Sequence, residues 1–220
     1  MVSPIDEDFK LTKLIKQGKT AMKADFKPLA EWIDSTYGVR TMNMIYDRIG
    51  NDLRPRLNII FETDADCDLF RTPSDLENTK KHEIASKFKE FIQNETLVAY
   101  NVSGLFIIFS SFEEVAKIET YWSVSKDDLE KLRLDLNKGD IWVIHGNMFA
   151  PPSVFFYTAA QLSKYSKIEI KNAITRKCFE LIKKYDEFNY FKIEQFAVEF
   201  DSKENFENYY KGNWFNYDRR

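Results

Sequence analysis

Four times along this chain an apolar run ending in phenylalanine or closely following one gives way to a helix-capping side chain. The junctions are Phe61-Glu62-Thr63, Phe109-Ser110-Ser111, Phe156-Tyr157-Thr158 and Phe200-Asp201. Three positions after each cap stands an acid or an amide: Asp66, Glu114, Gln161 and Glu204. The capping oxygen accepts from an unpaired N–H of the first helical turn, and the later side chain can reach back to the cap's own N–H. Each junction therefore marks a strand handing over to a helix. Between junctions the pattern supplies two apolar runs, a short helix and a longer one, in units of about 45–48 residues each, a period of the kind that repeat architectures show. Ordinary alternation of elements would also set four caps in step, because the copies share pattern and not residues. The architecture is the same on either reading.

That architecture is an α+β fold. Hairpins make neighbouring antiparallel strands, and amphipathic helices must bury their stripes on a sheet. The expectation is a mainly antiparallel sheet of β-hairpin plus helix-pair units, with the helices packed on one face and two N-terminal helices in front. The chain reads as a single globular unit, 1–220. It has a helical preamble over 1–38, and the pattern then allows two similar halves near 40–137 and 140–220.

The local signals are specific. Ser3-Pro4-Ile5-Asp6 has the form of a helix start, and Gly18 and Gly38 are placed to end the first two helices, since glycine enters the left-handed region without a Cβ clash. Hairpins are expected at 41–62, with a Gly50-Asn51-Asp52 turn, at Leu97–Tyr100 with Leu105–Phe109, and at Ile141–His145 with Val154–Tyr157. Further helices are expected from Thr72-Pro73-Ser74-Asp75, from Ser125 with Asp128, and from Ser166 with Glu169. Phe191–Phe200 reads as a strand, with Asp201 as its cap. The aromatic tail from Tyr209 reads as a closing strand.

Composition narrows the function classes. The 32 basic and 35 acidic residues leave a net charge of −3, so the basic excess typical of nucleic-acid binders is missing and no nucleic-acid partner is expected. Cys67 and Cys178 match no Cys-x-x-Cys or Cys/His ligand spacing and read as buried free thiols in a reducing compartment. The start MVSPIDEDF has no apolar core of a signal peptide, and no apolar run approaches the roughly 20 residues of a membrane span. The expected location is cytoplasmic, away from membranes.

Three places could carry chemistry. Asp64, Asp66 and Asp68 follow the apolar run Leu57–Phe61, and carboxylates at a strand mouth can hold Mg or Mn and position a phosphorylated substrate. Against this, Thr63 caps a helix there. On a helix only positions 64 and 68 share a face, and acids in a first turn simply oppose the helix dipole. His145 ends a strand beside Gly146-Asn147 and is the better of the two histidines for acid–base work. His82 lies among charged residues on a helix. No serine elbow, glycine-rich phosphate loop or HExxH pattern accompanies either. The third place is the tail, where Tyr209, Tyr210, Trp214, Phe215 and Tyr217 are candidates to bind a partner. Such rings bury a large area at low entropic cost. The opposing expectation is that the tail packs on its own sheet.

The leading expectation is a non-catalytic protein, without cofactor, that binds another macromolecule or a second copy of itself, as a small regulatory or inhibitory protein does. The alternative is a divalent-metal enzyme using the Asp64 cluster, with His145 nearby.

Overall fold

A computed structural model describes residues 3–71, 75–94, 97, 99–136, 139–165 and 167–219. The chain forms two compact units, Met1–Val115 and Ala116–Arg220, each described by itself below. Among the described residues no helix is long and apolar enough to cross a membrane. The class is α+β, as the sequence predicted, with two three-stranded sheets.

In the first unit α1 (Glu7–Lys16) and α2 (Lys27–Tyr37) precede a hairpin of β1 (Thr41–Ile49) and β2 (Arg54–Phe61). Then come α3 (Asp64–Asp68), α4 (Asp75–Asn94), β3 (Phe106–Ser111) and α5 (Phe112–Ser123); the division between units falls inside α5. Helix α1 starts three residues later than Pro4 suggested: Ser3–Asp6 forms a turn, in which the Asp6 N–H donates to the Ser3 carbonyl and the Asp6 carboxylate accepts from the Ser3 N–H, both at 3.1 Å. Helix α2 ends at Gly38, whose φ of 68° is left-handed. The α4 start motif at 72–74, Val98 of the expected second hairpin, Asn137-Lys138 and Ser166 lie outside the described residues.

The sheets differ from expectation in two respects. β1 and β2 are antiparallel, but β3 lies parallel to β2, so each sheet is mixed rather than mainly antiparallel. Leu97, Ala99 and Tyr100 are not in a strand; the chain returns to β3 by way of α3 and α4, the long crossover a parallel pair requires. The helices also cover both faces of the sheet. Every residue from Leu57 to Phe61 is buried, although their side chains alternate between faces. Leu57, Ile59 and Phe61 join Leu29 and Ile33 of α2 and Ile84 and Phe88 of α4 in one core. On the opposite face Asn43 donates to Thr12 at 3.0 Å and Ser110 donates to Asn58 at 2.9 Å. A buried polar seam thus meets α1.

The second unit uses the same order. After α6 (Lys126–Asp135) come β4 (Ile141–His145), β5 (Ser153–Phe156), α7 (Ala159–Lys164), α8 (Ile168–Lys183), β6 (Glu199–Ser202), α9 (Lys203–Tyr210) and α10 (Trp214–Tyr217). β4 and β5 are antiparallel, β5 and β6 parallel. One face of this sheet packs on α6 and α8 through Ile144, Phe156, Leu132 and Cys178; Phe155 turns to the other face, against Phe206 and Tyr217. Of the expected strand Phe191–Phe200 only its end is a strand. The Asp186 carboxylate accepts from the N–H groups of Tyr190 and Phe191 at 2.9 and 3.1 Å, holding the segment in a turn. The tail is helical: Asn213 accepts from the Phe215 N–H at 2.9 Å and starts α10 where a closing strand was expected.

All four junction helices are capped. Thr63, Ser111, Thr158 and Ser202 accept from the N–H groups of Asp66, Glu114, Gln161 and Asn205. The fourth cap is Ser202 and not Asp201, which instead accepts from the Ser202 N–H and the Asn205 amide. The hairpin-plus-helix-pair arrangement occurs in full as β1–β2–α3–α4 and β4–β5–α7–α8; in the other two stretches one strand precedes the helix pair. The units also share details. The first strand of each sheet, β1 and β4, carries an irregularity near its start, at Thr41/Asn43 and Ile141/Val143. Phe61 stacks on Phe70 at 4.6 Å, and Phe156 on Tyr165 at 4.9 Å.

Candidate binding groove

β4 is an edge strand, paired only with β5, and beside it in the second unit opens a groove of about 800 Å³. One wall is the run Val143–Met148, continuing from β4 into the loop after it; the other is Tyr121, Trp122 and Val124 with the first turns of α6. Trp214 closes one part of the lining. A Cβ at Gly146 would meet the Leu129 Cδ1 at 2.9 Å, so that side chain would have to shift. Two of the groove's apolar lining side chains, and the residue after the second, are open to solvent. Trp122 is 36%, Met148 53% and Phe149 67% exposed.

Asp127 and Lys126 begin α6 behind the Ser125 cap and line the groove. Neither has a hydrogen-bond or ion-pair partner among the described residues. Glu130, one turn on, is held by Arg133 at 2.8 and 2.6 Å, and that guanidinium keeps its carboxyl below the usual range.

His145 reaches this groove, and one of its two ring nitrogens is held by a carboxylate. Nε2 lies 3.1 and 3.2 Å from the two carboxylate oxygens of Asp218, and the Asn147 amide donates to the same carboxylate at 3.3 Å. The ring lies flat on Trp214. Among the described residues lining the groove there is no Ser, Thr or Cys that this histidine could activate.

The three aspartates are helix residues. Asp64, Asp66 and Asp68 lie on α3, where 64 and 68 share a face and 66 is turned away from both. Asp64 accepts from the Ser111 hydroxyl at 2.5 Å, and its own N–H donates to Glu113 at 3.1 Å. Among the described residues no group of three His, Cys, Asp or Glu side chains is arranged to hold a metal ion. The cluster belongs to the capped junction.

The tail residues divide. Tyr217 is buried, and Trp214 and Tyr210 pack against the same cluster with Phe155 and Phe206; these three are part of the fold. Phe215 and Tyr209 stay exposed at 60% and 80%, with the Arg219 guanidinium 3.9 Å from the Phe215 ring centre. What sequence reasoning missed is the rim formed by Trp122, Met148 and Phe149. Its signal was the run Met148-Phe149-Ala150-Pro151-Pro152, apolar residues in a segment whose prolines bar a continuing strand.

The first unit has a smaller cavity at the matching place, about 290 Å³, between the approach to α2 and Asn43–Tyr46 of β1. There Tyr46 and Tyr100 take up the space, their rings 5.1 Å apart and nearly perpendicular.

No known protein family, curated protein or solved structure matches this chain.

Proposed function

We propose that this is a non-catalytic protein-binding protein, regulatory or inhibitory in character, and that it engages its partner through the groove beside β4. The observation that carries this reading is the exposure of Trp122 and Met148 in the lining of a largely apolar groove, with exposed Phe149 next in sequence. Contiguous apolar surface of this kind, rimmed by polar residues, is characteristic of protein–protein interaction sites. Aromatic and methionine side chains are also enriched in such contacts. Among the described residues that line the groove there is no hydroxyl or thiol for His145 to activate, which favours binding over catalysis. A net charge of −3 speaks for protein over nucleic acid, and two buried free thiols suit the cytoplasm.

The test is selection of peptides from a displayed random library on the immobilised full chain. Enriched peptides should bind at least tenfold more weakly to Met148→Glu, and equally well to Leu53→Glu, which changes an exposed residue of the first unit. Selection that enriches nothing, or peptides indifferent to Met148→Glu, would overturn the reading.

A further inference from the structure

Resting on that reading, we propose that the partner enters the groove as an extended segment and adds a fourth strand to the sheet of the second unit, along the free side of β4. The groove is lined by Val143, Ile144 and His145 in succession, and successive strand residues send their side chains to opposite faces. Ile144 accordingly joins the core with Leu129 and Cys178, while Val143 packs against the Phe155 cluster on the other face. A space that touches both residues runs along the side of the strand, where its main-chain groups point. Those groups are open there. β4 pairs with β5 alone, so every second residue turns its N–H and C=O away from the sheet. Past the end of the strand, the main chains of Gly146, Asn147 and Met148 make no hydrogen bond to another main-chain group among the described residues.

A strand suits this lining better than a helix does. Its N–H and C=O groups are unpaired and spaced to meet those of β4, whereas a helix bonds its own internally. Both apolar clusters of the unit also reach the groove: Tyr121, Val124 and Leu129 from one face of the sheet, Trp214 with Val143 from the other. An added strand sends alternate side chains to the two faces, so apolar residues on both of its sides extend both clusters, as in a strand buried on each face. The charges of the lining cancel, Lys126 against Asp127 and Glu130 against its Arg133. The segment that complements them is an uncharged apolar run matching the five residues of β4.

The probe is the most enriched peptide of the selection above, synthesised with a single backbone N-methyl group at each position in turn and titrated into the full chain. A methyl on an N–H that bonds to β4 removes the donor and blocks the approach, so binding should weaken about tenfold or more. A methyl on the next N–H, which faces away from β4, should cost less than about threefold. Losses should therefore alternate along the central residues, and amide exchange over residues 143–147 should slow when the unmethylated peptide is present. Peptides that depend on Met148 but show losses at successive positions, or at none, would overturn the strand while leaving the groove a binding site. A chain that sediments as a dimer with those amides already protected would give the place to a second copy, and would overturn it too. A selection that enriches nothing overturns this inference together with the reading beneath it.

Discussion

The imidazole of His145 lies flat against the indole of Trp214, ring centres 3.8 Å apart and planes within 8° of parallel. Trp214 also stacks on Phe206 at 4.0 Å and meets Phe155 edge-on at 5.1 Å. One side chain thus joins the end of β4 to α9 and α10. Trp214→Ala should remove that joint and destabilise the protein by about 3 kcal/mol, the low end for a large aromatic truncated in a core. Urea unfolding checks it. Unchanged stability would mean that the tail is held elsewhere.

Two carboxylates perform the same task in the two units. Glu113 accepts from the Asp64 N–H at 3.1 Å, and Glu204 from the Ala159 N–H at 2.7 Å, each closing the start of a short helix from the neighbouring strand's junction. Glu113→Ala should cost about 1 kcal/mol, as loss of a capping acceptor does. Glu204→Ala should cost less, because Glu204 is exposed to competing water. Denaturant unfolding of each variant measures the order.

Cys67 and Cys178 are both buried, and burial pushes each thiol up to about 12. Neither should react with iodoacetamide at pH 8 unless the chain unfolds, since the nucleophile is the thiolate. The sign of the linkage follows. Below the ordinary thiol value, 9.0, both states are protonated and the stability is whole. Between 9 and about 12 only the unfolded chain ionises, so stability falls as pH rises. Mass spectrometry after native alkylation tests the first point, and melting against pH the second.

Mg or Mn should not raise the melting temperature of the unaltered chain, and the variant carrying Asp66→Ala with Asp68→Ala should be equally indifferent to the ions. A bound ion would raise it by mass action, and loss of such a rise in the double variant would restore the metal reading. Asp64→Ala should lower the melting temperature with or without metal, because the Ser111 hydroxyl donates to Asp64.

The local grammar of this chain was legible and its long-range pairing was not. Thr63, Ser111 and Thr158 announce their helices by side chains within four residues, and all three cap as written. Only the fourth cap moved, by one residue, to Ser202. That β3 runs parallel to β2 depends on where α3 and α4 deliver the chain, which no local pattern states. The coverage of both sheet faces was readable in Leu57–Phe61, an unbroken apolar run but for Asn58, since strands buried on both sides lose their alternation. For the site, the aspartates drew notice by composition and proved to be helix residues. Gly146 and the Met148-Phe149 pair mark the groove in ways that become visible only once β4 and α6 lie side by side.

The most direct test of the groove as the binding site is hydrogen–deuterium exchange of the full chain with and without a selected peptide. Binding beside β4 should slow exchange over residues 121–130 and 143–148. Protection confined to the first unit, or to the exposed surface around Tyr209 and Phe215, would contradict it.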